Sequence, residues 1–336
     1  MDEQTGVRYG MITAKATFLI HHDGATELDT QNPFPLFDSD ETTGLGLLPP
    51  DLYPRRDPVF EVILLGAAYA ENARPTSHCM VELSVGEVTR RISVTGDRQW
   101  VTQQEISEPH PFTRMPLTYE HAFGGSCEAF LDEHTVLDMD DPMNKYGKGF
   151  DAEKQARDLA AGFQAPNGFP RMDYQRLLPN LENPENSVSQ WTDTPEPYCW
   201  ATIPPDIGYR MVEAIRKFQH DGNPPDLEAA RKMVYHRAHP DWIIGLPPPN
   251  TRVTMKGLKP NNHIVDFKLP PARVFADYVI GDRSGARELV PQLMVLLPEE
   301  DRLYLVYRSA FTVTVTPDME RSFRIRLEEG WYQDGN

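Results

Sequence analysis

Apolar and polar positions alternate over short stretches near both ends of the 336-residue chain, and far less in its middle. Residues 11–20 are rich in β-branched and aromatic side chains, and residues 60–67 form a nearly continuous apolar run. Alternation predicts a strand with one buried face, whereas a continuous run of strand length is typical of a strand covered on both faces. The N-terminal third is therefore expected to be β.

The clearest local signal is a hairpin centred on Gly86. Val81, Leu83 and Val85 alternate with polar residues before it, and an apolar pattern resumes directly after it. A two-residue loop that begins with glycine is typical of a turn whose first central residue has a positive φ. The pattern predicts two antiparallel strands joined at Gly86.

After residue 250 the chain returns to short apolar stretches separated by turn sequences, the spacing expected of a sandwich or barrel-like β layer. The predicted strands are 252–258, 263–269, 292–297, 303–308, 311–316 and 323–327.

The middle of the chain differs, because residues 126–205 are rich in Pro, Asn and Asp and hold few apolar runs. Helical spacing is seen only over 151–161, 209–220 and 227–235, and Asp226 is placed to cap the last of these. The chain has 31 prolines, roughly twice the average usage. Since proline interrupts both helices and sheets, the elements should be short.

These patterns predict a mainly β (α+β) protein with antiparallel, sandwich- or barrel-like layers at both ends and a partly helical middle. We divide the chain into an N-terminal antiparallel β region (1–125), an irregular Pro/Asp-rich region with short helices (126–240) and a C-terminal β region (241–336). The pattern leaves open whether the two β regions form one body.

Charge narrows the partner classes. The formal net charge is -17, which disfavours binding to nucleic acid or to anionic lipid. No apolar run is long enough to span a bilayer, and the acidic N-terminus lacks the apolar core of a secretion signal.

The three cysteines, Cys79, Cys127 and Cys199, are widely spaced, so we expect a reducing compartment, the cytoplasm.

Sequence motifs for catalysis or metal binding are weak. His236 and His239 would share a face if helical, but no third ligand is obvious, and Cys127 has no recognisable nucleophile motif around it. The chain lacks GxSxG, HExxH, Walker and GxGxxG patterns. We predict no catalytic residues, no metal and no cofactor.

The densest mixture of aromatic, polar and glycine residues is the block 111–125. Its Gly124-Gly125 pair permits positive φ and close backbone approach. Arg114 and Glu120 are placed to form a charge-assisted hydrogen bond. We interpret the block as a corner of the core whose exposed side binds a partner.

A series of blocks, in this order, resembles a bacterial family of type VI secretion accessory proteins, long catalogued only as a domain of unknown function. The blocks are 15–18, 62–69, 94–100, 111–125, 144–150, 178–184, 239–242 and 247–249. The chain departs from the family in 144–150, where the family usually reads Asn-Pro-Val-Gly-Arg-Gly-Phe. It also lacks the family's tryptophan-rich segment between Trp200 and His239.

The resemblance implies a cytoplasmic, non-enzymatic adaptor or chaperone. Its partner would be a toxic effector, a PAAR-type tip domain or the spike. The residues predicted to contact that partner are Arg114, Tyr119, Glu120, Phe123, Gly124, Gly125, Asn180 and Glu182. We also expect an acidic carrier to shield basic patches on its cargo, with an affinity that falls as salt rises.

An enzyme is the alternative that the sequence leaves open. A hydrolase or carbohydrate-active enzyme on a β-sandwich would need two facing carboxylates. Glu120 and Glu182, each inside a block that resembles the family, are the candidates for that pair.

Overall fold

The structure, a computed structural model, describes residues 7–44, 46–52, 59–102, 104–130, 136–150, 171–173, 177–205, 236–260, 264–281, 283–314 and 321–328. These residues form several sheets and no α-helix, which confirms the mainly β class, and their sheets do not close into a barrel. The helical patterns predicted at 151–161, 209–220 and 227–235 lie outside the described residues. Within the described ranges, no helix has the length and apolar character needed to cross a membrane.

The strands of the N-terminal half are β1 (Val7–Ile20), β2 (Thr26–Leu28), β3 (Glu41–Thr43), β4 (Gly46–Leu48), β5 (Val59–Leu64), β6 (Ala67–Tyr69), β7 (His78–Val85), β8 (Val88–Thr95), β9 (Trp100–Thr102), β10 (Glu105–Ile106), β11 (Arg114–Pro116), β12 (Phe123–Gly124), β13 (Ser126–Phe130), β14 (Val136–Asp140) and β15 (Lys148–Gly149). Those that follow are β16 (Arg171–Asp173), β17 (Leu181–Glu182), β18 (Ile243–Gly245), β19 (Arg252–Lys256), β20 (Val265–Lys268), β21 (Arg273–Ile280), β22 (Arg283–Leu297), β23 (Arg302–Thr314) and β24 (Arg321–Glu328). Short 3₁₀ turns cover Glu71–Ala73, Tyr119–His121, Pro240–Trp242 and Pro298–Glu300.

The larger sheet joins the two ends of the chain. Its strand order is β18-β5-β22-β23-β1-β2, and β1 pairs with β23 from Val7↔Thr314 to Leu19↔Arg302. The apolar run in β5 lies inside this sheet, parallel to β22, and is almost fully buried as its pattern predicted. Strands of the N-terminal and C-terminal regions therefore belong to one β body.

The two halves of β22 pair with different strands. Residues 290–297 pair with β23, whereas residues 283–289 pair with β21, and the register shifts between Pro291 and Leu293. Proline cannot donate a ladder hydrogen bond, which suits this position at a bend. β21 also pairs with β24, so β21, β24 and residues 283–289 form a three-stranded arm.

The second sheet has the order β17-β8-β7-β19-β20. The predicted hairpin at Gly86 is confirmed: β7 pairs with β8 down to Val85↔Val88, and Gly86 has φ +60°. Alternate residues of β7 and β8, including Leu83 and Ile92, are fully buried in a core shared with the larger sheet.

Several C-terminal strands differ from the expected ones; β22, for example, starts at Arg283 and not at residue 292. Residues 303–308 and 311–316 were predicted as separate strands, but β23 continues from Arg302 to Thr314 because β1 pairs with it throughout. β21 was not predicted at all, and it forms because β22 and β24 flank it on both sides.

A buried ion cluster lies on β1 and β23 and includes Lys15 and Arg308. Lys15 Nζ lies 2.5 Å from Asp51 Oδ2 and close to the rings of Phe37 and Tyr304, at 4.0 and 4.3 Å from their centroids. Arg308 Nε donates to the carbonyl of Asp51 at 3.0 Å. Burial lowers the pKa of Lys15 and raises that of Asp51, while their pairing opposes both shifts. The cluster attaches the segment around Asp51 to the sheet.

Candidate functional site

The block 111–125 crosses between sheets and ends beside two other blocks. β11 pairs with β6, the chain then makes the 3₁₀ turn Tyr119–His121, and β12 pairs in parallel with β15. Ala122 forms a parallel bridge with Leu181. Segments that are far apart in the sequence therefore meet in one place.

Asn180 connects these segments, and it is completely buried. Its Nδ2 donates to the Thr95 carbonyl and to Asp97 Oδ1, each at 3.0 Å. Its Oδ1 lies 2.9 Å from both Lys148 Nζ and His121 Nδ1. We call Asp97, His121, Lys148 and Asn180 the polar hub.

The polar hub reaches the surface on one side. The Asp97 side chain is 62% exposed and Lys148 is 22% exposed, at 3.1 Å from each other. The hydrogen bond from Asn180, with help from Lys148, lowers the pKa of Asp97. Burial lowers the pKa of His121, and the nearby Lys148 acts in the same direction.

Glu182 lies next to the hub and is almost completely buried. It accepts from Arg98 Nη2 at 2.5 Å and from the Val188 N–H at 2.8 Å. Burial raises the pKa of Glu182, and Arg98 opposes the shift. Both carboxylate oxygens thus hold the surrounding structure together.

The glycine pair has the conformation predicted for it. Gly124 has φ +138° and Gly125 has φ +118°. The Gly125 N–H donates to the Asn144 carbonyl at 2.7 Å, and Asn144 Nδ2 donates to the carbonyls of Tyr119 and Phe123. A Cβ on Gly124 would collide with the Asn144 carbonyl oxygen, so only glycine fits there.

The expected bond between Arg114 and Glu120 is wrong. Arg114 instead donates to Tyr69 Oη at 3.2 Å and to Glu299 at 3.0 Å, because β11 lies against β6. Arg114 and Glu120 are exposed, whereas Tyr119, Phe123, Gly124, Gly125, Asn180 and Glu182 are buried. A role of this group in partner binding stays a prediction.

His236 and His239, the candidate metal ligands, do not share a helical face and make separate contacts. His236 Nδ1 lies 2.7 Å from Glu61 Oε1 inside the core, and His239 accepts from the Asp241 N–H at the start of the turn Pro240–Trp242. In the part of the chain that the structure describes, no group of three or more His, Cys, Asp or Glu side chains is arranged to hold a metal. No disulfide joins the three cysteines, all of which are described.

A groove separates β1 from the arm. Ile12, Ala14 and Ala16 of β1 line one side, and Phe323, Ile325 and Leu327 of β24 line the other. We call these six residues the seam. The groove holds a cavity of about 370 Å³ at the Leu327 end and a smaller one of about 80 Å³ at the Phe323 end.

The backbone edges along the seam have no partner strand among the described residues. β1 pairs with β23 on one side, and with β2 only from Phe18 to Ile20 on the other. β24 pairs only with β21. Phe323 and Ile325 are 47% and 44% exposed, so apolar side chains and unpaired backbone occur together.

Sequence reasoning missed the seam. It predicted the strands at 11–20 and 323–327 separately, and their alternating apolar residues were the available signal. Nothing in that signal shows that the two strands face each other, because this depends on the bend in β22.

The described residues thus define a mainly β protein of open sheets, with a buried polar junction of its sequence blocks and an unpaired seam. The chain belongs to a bacterial family: the family described as an uncharacterized protein conserved in bacteria (DUF2169) matches residues 5–308. Neither the curated proteins nor the solved structures include a match to this chain.

Proposed function

We propose that this protein is a non-enzymatic, cytoplasmic adaptor or chaperone of type VI secretion. It binds a toxic effector, or the PAAR-type tip domain that accompanies one, and assists its loading onto the spike. Support for the type VI assignment comes from the ordered sequence blocks alone.

The observation that carries a binding role is the seam. Proteins usually protect unpaired strand edges, because an exposed edge readily pairs with another chain. Exposed apolar groups such as Phe323 and Ile325 also mark interaction surfaces when they lie together. A groove that combines both features is suited to holding a polypeptide.

Co-expression tests this function. The protein is produced together with a toxin or PAAR-tip protein encoded beside its gene, and co-purification and toxin solubility are measured. We expect a stable complex and loss of soluble toxin when the adaptor is omitted. A toxin that stays soluble and active without the protein, and never co-purifies with it, would contradict the proposal.

A variant connects this test to the seam. Ile325→Asp places a charge among the apolar residues and should abolish co-purification. Ile264→Asp is the matched control, because Ile264 is also exposed but lies outside the seam. Equal loss with both variants would argue against the seam as the binding surface.

A further inference from the structure

We infer that the seam binds an extended segment of a partner polypeptide, antiparallel to both β1 and β24, whose C-terminal end carries a carboxylate held by Arg283 and Arg287. The inference rests on the proposed adaptor function, since it specifies how the cargo is held.

The backbone supplies the first argument. In an antiparallel ladder, every second residue directs its N–H and C=O away from the paired neighbour. Along β1, these groups point to the open side between Val7 and Thr17, where the Asp29 N–H already occupies the Thr17 carbonyl. β24 has an equivalent row. One extended chain between the two strands can bond to both rows.

The strand directions supply the second argument. β1, β23, β22, β21 and β24 are each antiparallel to the next, so β1 and β24 run in the same direction. Direct closure of β24 on β1 would therefore need a parallel pair. An added strand between them is antiparallel to both, and antiparallel pairs are the more stable and more frequent kind.

This direction fixes the ends of the bound segment. It starts near Leu327, where the groove is wide, and ends near Ile12 and Phe323, where the groove is narrow. At the wide end, β1 contributes the small residues Ala14 and Ala16 to the lining, which leaves room for apolar side chains on the segment. The eight residues of β24 correspond to a segment about 26 Å long.

The charges supply the third argument. The strands of the arm contain six arginines and only three carboxylates, in a chain of net charge -17. The carboxylates of Asp277 and Glu328 pair with Arg326, and that of Glu288 pairs with Arg273.

Two of the other arginines, Arg283 and Arg287, line the narrow end of the groove. Among the described residues, Arg283 and Arg287 have no carboxylate within 4 Å, and both line the groove beside Phe323. Arg287 Nη1 donates to the Ala310 carbonyl at 2.7 Å, which fixes its direction. A carboxylate forms strong, often bidentate hydrogen bonds with guanidinium groups, and the C-terminal end of the inferred segment lies beside these two arginines.

A peptide experiment tests the inference without any cargo. A positional-scanning library of synthetic octapeptides is prepared with either a free or an amidated C-terminus, and binding to the full chain is measured by fluorescence anisotropy. We expect selection of alternating apolar residues and at least tenfold weaker binding after amidation. A glutamate as the last residue of an amidated peptide should restore part of the affinity.

Arginine variants test the carboxylate contact. Arg283→Glu should weaken binding of the free acid at least tenfold and favour peptides that end in lysine amide. Arg74→Glu, an exposed site outside the arm, is the matched control and should change nothing. Equal binding of acid and amide, or equal effects of the two variants, overturns the carboxylate contact.

Cross-linking determines the direction in which the peptide lies in the seam. A benzophenone at the N-terminal end of the selected peptide should label residues near Leu28 and Leu327, and one at the C-terminal end should label residues near Phe311 and Phe323. The opposite pattern overturns the antiparallel arrangement.

The remaining outcomes separate this inference from the proposed function. If no peptide binds but the chain still co-purifies with its toxin, the seam inference fails and the adaptor function stands. Protection of the seam in a concentration-dependent dimer, measured by ultracentrifugation, would show that a second copy is the occupant and would also overturn the inference. Peptide binding without toxin co-purification would instead contradict the type VI role alone.

Discussion

The polar hub and the seam differ in polarity and in how far their hydrogen-bonding groups are satisfied. The hub gathers Asn180 and its charged neighbours into a junction whose hydrogen bonds are made inside the chain. The seam presents Phe323, Ile325 and a backbone edge that has no partner strand among the described residues. The dense, motif-like sequence therefore lies in a structural junction, whereas the surface that we propose for partner binding includes a C-terminal strand without such a motif.

The largest expected loss of stability comes from a substitution at Gly124, which lies next to the polar hub. Gly124→Ala places a Cβ against the Asn144 carbonyl at a positive φ, and we expect a loss of about 4 kcal/mol or more in unfolding free energy. Denaturant unfolding followed by circular dichroism measures it. Gly44→Ala is the control, because a Cβ there meets nothing within 4 Å. Similar stability for the two variants would contradict this account of the glycine pair.

The second largest loss of stability is expected when the side-chain amide of Asn180 is removed. Asn180→Ala leaves the Thr95 carbonyl, Lys148 and His121 without their bonds to it, and we expect a loss of roughly 2–4 kcal/mol. Asn186→Ala, at an exposed position, should cost about 0.5 kcal/mol or less. Chemical denaturation of both variants gives the comparison, and a tolerant Asn180 would mean that the hub is not a structural junction.

A smaller effect depends on pH. The pKa of His121 is lowered in the folded state by burial, so the unfolded chain binds the proton first as pH falls. Stability contributed by neutral His121 is present above the unfolded pKa of about 6.5. It is lost as pH falls through that value toward the lower folded pKa.

Urea unfolding between pH 7.5 and 5 tests this. His121→Gln should lose less stability on acidification than the wild type. His110→Gln, an exposed histidine, should keep the wild-type slope. If His121→Gln also kept that slope, the burial effect on His121 would be too small to matter.

The smallest effect on folding is expected at the seam. Ile325→Thr keeps the β-branched shape at a 44% exposed position, and we expect a change of about 0.5 kcal/mol. Ile92→Thr, at a fully buried position in β8, should cost about 2 kcal/mol or more because a hydroxyl enters the core. Thermal unfolding of both variants measures these changes. Equal losses of stability would mean that Ile325 is part of the core.

The fold class was predictable because its signals are local. Alternation around Gly86 and the apolar run of β5 depend only on neighbouring residues, and both are confirmed. The continuity of β23 and the existence of β21 depend on partners that are distant in the sequence, so local pattern could not reveal them.

For the polar hub, the sequence predicted the positive φ of Gly124 and Gly125, whereas partner binding by this block stays a prediction. It paired Arg114 with Glu120 because they are neighbours in the chain, but the strand pairing of β11 with β6 directs Arg114 to Glu299. Proximity in sequence was a poor guide once the chain crossed between sheets.

The pairing of β1 with β23 has a consequence for biosynthesis. Val7 pairs with Thr314, so a nascent chain cannot complete the larger sheet until residue 314 has left the ribosome. Such non-local pairing slows folding and leaves β1 exposed in the meantime. Until β23 has been synthesised, both edges of β1 are therefore free to pair with another chain.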